Sequence, residues 1–173
     1  MASIAELAGQ GAIQIRNYSA RLVKDIKPGD FAKKPTVGGV LVDTNHPAFV
    51  FGHLSLYAFR ISKLLDLGLS EFEPSKKYFD LFSIGAKCEH DPDGKIYPPM
   101  KEITDFFFNG FDKTISVLKD IPDSKLLAVN EDEKSKERFP NLGGFVIYLL
   151  GAHPNTHCGQ ISVWRRCMGL GPA

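Results

Sequence analysis

The sequence predicts an all-α fold, a bundle of four long helices in one domain spanning residues 1–173. Three observations predict it. Four segments repeat apolar residues every three or four positions, no segment alternates with a period of two, and Pro, Gly and Asn clusters separate the segments. A chain of 173 residues fits one domain, since domains commonly run to about 100–200 residues. One of this length buries about 70% of the surface its unfolded chain exposes.

The first helix is expected from Ile4, Leu7, Ala8, Gly11, Ile15, Tyr18 and Leu22, which fall on one stripe and stop before the turn signal Lys27-Pro28-Gly29-Asp30. A loop follows through Pro35 and Gly38-Gly39. Asn45-His46-Pro47 then reads as a helix start, with Asn45 as the N-cap and Pro47 in the first turn. The second helix should run from about Pro47 to Leu67 and end at Gly68. Phe49, Val50, Phe51, Leu54, Leu56, Ala58, Phe59 and Ile61 make it apolar around much of its circumference, so it should be largely buried.

Residues 69–97 show no period, and Cys88-Glu89-His90-Asp91-Pro92-Asp93-Gly94 has the composition of a loop. The third helix begins at Pro98-Pro99, carries Ile103, Phe107, Phe111, Ile115 and Leu118 on one face, and ends at Ile121-Pro122-Asp123. Charged residues 131–138 form a solvated connection. The last helix starts after Pro140-Asn141 and continues to about Met168, with a kink or a restart at Pro154. The two long connections should lie across the ends of the bundle.

Composition narrows the function. Twenty-one basic and twenty acidic side chains give a net charge of +1, far from the basic excess that phosphate neutralisation demands, so nucleic acid is not an expected partner. The longest apolar run, Phe145 to Ala152, is too short for a bilayer. No signal-peptide pattern opens the chain, since Glu6 interrupts the early apolar residues. Cys88, Cys158 and Cys167 are odd in number and form no C-x-x-C pair, as reduced thiols of a cytoplasmic protein would.

Three of the five histidines suggest chemistry. His153 and His157 are four residues apart, which on an α-helix places them about 40° apart on one face. They could share a metal there, and Gln160 and Trp164 continue the stripe. His53 lies near the middle of the apolar second helix, where an imidazole nitrogen without a partner would be costly to bury. A metal would satisfy one nitrogen of each ring and leave the other for an acceptor from the protein. The same residues can also be read as surface or hydrogen-bonded core histidines, and spacing alone does not bring His53 to the other two.

The run Asn45-His46-Pro47-Ala48-Phe49-Val50-Phe51-Gly52-His53-Leu54 resembles the second-helix motif of DinB-like proteins, an aromatic residue followed by Gly-His-Leu. The run from His153 to Gln160 resembles their C-terminal H-x-x-x-H-x-G-Q motif, and Trp164-Arg165-Arg166 fits its tail. The two motifs stand in the family's order, and the order of segments matches over essentially the whole chain. The resemblance to this DinB/YfiT-like family implies a four-helix bundle with a long crossover. It also implies one divalent metal, commonly zinc or nickel, on His53, His153 and His157.

Three neutral imidazoles would leave the ion its full charge and an open position, the arrangement of a catalytic rather than a structural site. Some relatives are thiol-dependent transferases and isomerases. The expected function is therefore a metal-dependent transferase or hydrolase acting on a small molecule, with a low-molecular-weight thiol as a candidate substrate. The alternative is a non-catalytic, metal-stabilised bundle used for binding or assembly.

Other residues carry two readings each. Arg60, seven residues after His53 and on its face, either binds an anionic substrate group or pairs with a carboxylate. His46 caps its helix or faces solvent, and His90 is expected to be exposed. Cys158 should be aimed away from the ligands into inert packing. Gly52 and Gly159 should let helices approach closely beside the ligands. Phe106-Phe107-Phe108 reads as core or as an interface, so a homodimer is compatible with the sequence.

Overall fold

Ser3 starts the first helix with a reciprocal cap: its hydroxyl accepts the Glu6 N–H at 3.1 Å, and the Glu6 carboxylate accepts the Ser3 N–H at 2.8 Å. From there the computed structural model, which describes residues 2–173, is all-α apart from one short hairpin. Helix α1 spans Ile4–Val23 and buries Ala5, Ala12, Ser19 and Leu22. Leu7, expected on the inner stripe, is 59% exposed. The seam of closest approach takes the small residues Ala5 and Ala12, and the larger Ile4, Ile15 and Tyr18 flank it half-buried.

Strands β1 (Thr36–Val37) and β2 (Val40–Leu41) pair antiparallel around Gly38 and Gly39. Both glycines have positive φ, 58° and 82°, as the two-residue hairpin turn requires. Two residues per strand leave no alternation for a sequence to display.

Helix α2 spans Pro47–Leu65 and is buried along almost its whole length, as its composition predicts. Its N-cap is His46, not Asn45: the His46 Nδ1 accepts the Phe49 N–H at 3.2 Å. Its last residue is Leu65, two short of the expected Leu67, and Asp66 caps it by turning left-handed at φ 56°. Helix α3 (Lys76–Phe82) falls in the segment without a period, because two turns are too few to show one. Ser75 caps it and Tyr78 and Phe82 anchor it.

The loop after α3 is organised by the buried Asp91, whose carboxylate accepts the N–H groups of Lys95, Ile96 and Tyr97 at 2.9, 2.9 and 3.1 Å. His90 is not free in solvent. It is half-buried, and its Nδ1 accepts the Lys34 N–H at 2.9 Å.

Helix α4 (Met100–Leu118) buries Ile103, Phe107, Phe111 and Leu118 as predicted. Gly110 lets it close on α2, since a Cβ there would come within 2.9 Å of the Ala58 methyl. A short α5 (Asp123–Leu126) follows.

The last helix is continuous but changes pitch. Asn141 caps α6 (Leu142–Ile147), residues Tyr148–Ala152 form a π-helical turn, and α7 spans His153–Cys167 with Pro154 in its first turn. Proline cannot donate a hydrogen bond and crowds the carbonyl four residues back. Here the wide turn takes up that crowding, and the His153 N–H reaches the Tyr148 carbonyl. His153 keeps α-helical angles (φ −64°, ψ −55°) instead of the extended ones that a following proline favours.

Helix α2 packs against α3, α4 and α7, and α1 packs against α4 and α7. One apolar core runs through all five. Among the described residues no helix is long and apolar enough to cross a membrane.

A three-histidine candidate metal centre

The packing of α2 against α7 brings His53, His153 and His157 together, with one nitrogen of each within 4.8 Å of the others. The ring centroids are 5.5 Å apart for His53 and His153, 5.0 Å for His53 and His157, and 4.7 Å for His153 and His157. Among the described residues no further His, Cys, Asp or Glu joins them. Helix α2 supplies His53 from its buried face, and α7 supplies the other two one turn apart. The π turn preserves that spacing despite Pro154.

The rest of the protein holds the other nitrogen of each ring. His53 Nδ1 donates to the Phe82 carbonyl at 2.8 Å. His157 Nδ1 donates to Gln160 Oε1 at 2.9 Å, and Asn45, one residue before the N-cap of α2, donates to the same oxygen at 3.2 Å. His153 Nδ1 lies 3.2 Å from the Tyr148 hydroxyl. Protons on Nδ1 of His53 and His157 make their Nε2 atoms lone-pair donors.

The Nε2 atoms of His53 and His153 are 3.3 Å apart. Two nitrogens bound to one tetrahedral ion at about 2.0–2.1 Å would be separated by about 3.3–3.4 Å. The donor chemistry of the three rings, the tautomers of His53 and His157 and the spacing of the His53–His153 pair fit a divalent ion that accepts imidazole.

The rings are also in the protonation state that ligation needs. Burial lowers the pKa of all three. His153 falls to about 4, through burial and then the nearby His157, His53, Arg60 and Arg138. At neutral pH the three imidazoles are uncharged, with lone pairs available.

Two tyrosines border the cluster that the sequence reading passed over. The Tyr57 hydroxyl is 3.1 Å from His53 Nε2, and burial pushes its pKa up to about 12, so it remains a neutral phenol. Tyr57 was findable, being four residues after His53 on the same face. Tyr148 was not. Five residues before His153 is the wrong face of an α-helix, and only the π turn aligns the two. Phe82, whose carbonyl orients His53, lies in the helix that no period announced.

The remaining candidates divide. Arg60 pairs with Asp132 at 3.3 Å and lies over the Phe145 ring, 4.9 Å from its centroid. Gly52 does permit close approach, since a Cβ there would meet the Phe82 ring at 2.3 Å. Gly159 does not, with nothing within 4 Å of the corresponding point. Cys158 is fully buried against Ser19 with its thiol pKa raised by burial, an inert packing residue. Trp164 is buried, and its Nε1 donates to the Lys33 carbonyl at 2.7 Å. A scan against protein-family models matches none to this chain, and a comparison with curated proteins finds no match either.

Proposed function

We propose that this chain is a divalent-metal-dependent enzyme of the DinB/YfiT-like type. In this reading it is a cytoplasmic four-helix bundle with long crossovers that holds one zinc or nickel ion on His53, His153 and His157. It acts as a transferase or hydrolase on a small molecule, with a low-molecular-weight thiol as the leading substrate class. The observation that carries the reading is the convergence of three neutral imidazoles whose remaining nitrogens are each held by another group. The three cysteines are unpaired, in keeping with a reducing compartment.

A bound ion would supply Lewis acidity on the side the imidazoles leave open. The chain's own residues do the rest. The Phe82 carbonyl and Gln160 fix the tautomers of His53 and His157. Tyr57, a neutral donor beside His53 Nε2, is placed to hydrogen-bond a substrate atom entering there. His153 and His157 are half-buried where His53 is buried, so the α7 side is the less enclosed side of the cluster. The absence of a fourth His, Cys, Asp or Glu ligand among the described residues favours an open, catalytic arrangement over a sealed structural one.

Cobalt-loaded protein tests this with a panel of biological thiols. A sulfur-to-metal charge-transfer band on thiol addition is expected, with a rise in melting temperature. Turnover of esters or amides without such a band would replace the transferase reading with the hydrolase one. Metal binding with no response to either class would leave the non-catalytic bundle as the answer.

A further inference from the structure

Beside His153 lies a cluster of three packed rings carrying two arginines. Tyr148, whose hydroxyl is 3.2 Å from His153 Nδ1, packs against Phe139 at a centroid distance of 4.8 Å, and Phe139 stacks on Phe145 at 5.2 Å. The Arg138 guanidinium lies 4.7 Å from the Tyr148 centroid and 5.1 Å from that of Phe139. Arg60 covers Phe145 at 4.9 Å. Ring contact on the face of a guanidinium holds its plane and leaves its edge donors free, which is the preorganised form for binding an oxyanion.

Those donors are mostly unused. A guanidinium has five N–H groups. Arg60 spends one, on Asp132 Oδ2 at 3.3 Å, an oxygen that also accepts the Ser135 hydroxyl. Among the described residues the Arg138 side chain has neither a hydrogen bond nor a carboxylate partner; the neighbouring Glu133 pairs with Lys136. A surface arginine with no ligand ordinarily points into solvent; this one lies across two rings, one of which touches a candidate metal ligand. Asp132 shows that a carboxylate fits against Arg60, and its long, single contact is easily exchanged.

We propose that Arg138 and Arg60 form an anion subsite beside His153 that receives the carboxylate of a small organic acid, whose reacting end then lies at the three histidines. The proposal deepens the small-molecule reading above. It depends on that reading for the metal next door but not for the anion site itself.

Two measurements keep the failures apart. In the first, zinc-loaded protein is titrated calorimetrically with 3-mercaptopropionate and with 3-mercapto-1-propanol, which differ in the carboxylate. The acid should bind about tenfold more tightly, as expected for a charge-assisted pair. Arg138→Gln should reduce that preference to about threefold or less, Arg138→Lys should keep part of it, and Arg16→Gln, remote on α1, should leave it unchanged. In the second, the arginine Nε–H resonances of metal-depleted, isotope-labelled protein are followed during addition of succinate or of succinamide at matched ionic strength.

Arg60 and Arg138 should shift with succinate and not with succinamide. Shifts in a protein that binds no divalent ion would retire the metal reading and leave the anion subsite standing. Equal affinity for acid and alcohol, a preference untouched in the Arg138→Gln and Arg60→Gln variants, or arginine resonances that ignore succinate would overturn it.

Discussion

His46 and His53 lie seven residues apart on one helix, both buried, and their surroundings use the imidazole in opposite ways. His46 is satisfied by the main chain at both nitrogens: Nε2 donates to the Glu89 carbonyl at 2.8 Å, and Nδ1 accepts the Phe49 N–H at 3.2 Å. It caps α2 and ties the loop after α3 to it. His53 has one main-chain partner, the Phe82 carbonyl, and turns its other nitrogen toward two more imidazoles and a phenol. Burial depresses the pKa of both. Burial and protonation state therefore do not distinguish a structural histidine from a candidate ligand; the group facing the second nitrogen does.

The largest effect should come from breaking that difference at its functional end. Replacing His53, His153 or His157 with Ala should each weaken metal binding by more than the roughly 10–100-fold typical of groups that only orient a ligand. His46→Ala and His90→Ala should leave metal affinity nearly unchanged. Metal titrations of the five variants check this, and equal loss in the His90 variant would show the site to be misplaced.

Next in size is stability. Gly52→Ala forces a methyl into the Phe82 ring. It should destabilise the protein by about 1–3 kcal/mol in urea unfolding, and should also disturb the carbonyl that holds His53. His46→Ala removes a cap and strands a buried Phe49 N–H, at about 1–3 kcal/mol, with metal affinity retained. Gly159→Ala, where the space is open and the backbone helical, should instead stabilise by up to about 1 kcal/mol.

Acid should act on both histidine regions. His46 and His153 titrate at about 4 in the folded protein, against roughly 6.5 when unfolded. The unfolded chain therefore binds more protons between these values. Stability is fully present above about pH 6.5 and falls as pH drops toward 4. His46→Asn, which retains a capping side chain, should flatten that acid slope. Excess zinc should raise the melting temperature at neutral pH by binding the folded state, and the rise should shrink in acid as protons compete for the ring nitrogens. A rise that grows in acid would contradict histidine ligation.

Much of this was legible in the residues, for identifiable reasons. Helices α2 and α4 are long enough to repeat their period several times, and so announced themselves. The H-x-x-x-H spacing in α7 and the apolar setting of His53 made the three histidines candidates, and the resemblance of their two motifs to the DinB-like pattern joined them into one expected site. What escaped was structure with little or no period: the two-turn α3, the two-residue strands, and the π turn that Pro154 accompanies. The two-turn α3 and the π turn supply the Phe82 carbonyl and Tyr148, so the candidate ligands and Gln160 could be read ahead of the groups that face His53 and His153. On α1 most of the expected stripe meets the core, with Leu22 buried and Ile4, Ala8, Ile15 and Tyr18 half-buried, but the tightest seam takes Ala5 and Ala12 and leaves Leu7 exposed.

The most direct test of the account is the metal content of protein made without a histidine tag, measured by elemental analysis on the wild type and on the His53→Ala and His46→Ala variants together. The account predicts about one divalent ion per chain in the wild type and in the His46 variant, and essentially none in the His53 variant. A wild type that holds no ion when supplied with zinc, nickel or cobalt, or a His53 variant that retains its ion, would contradict it.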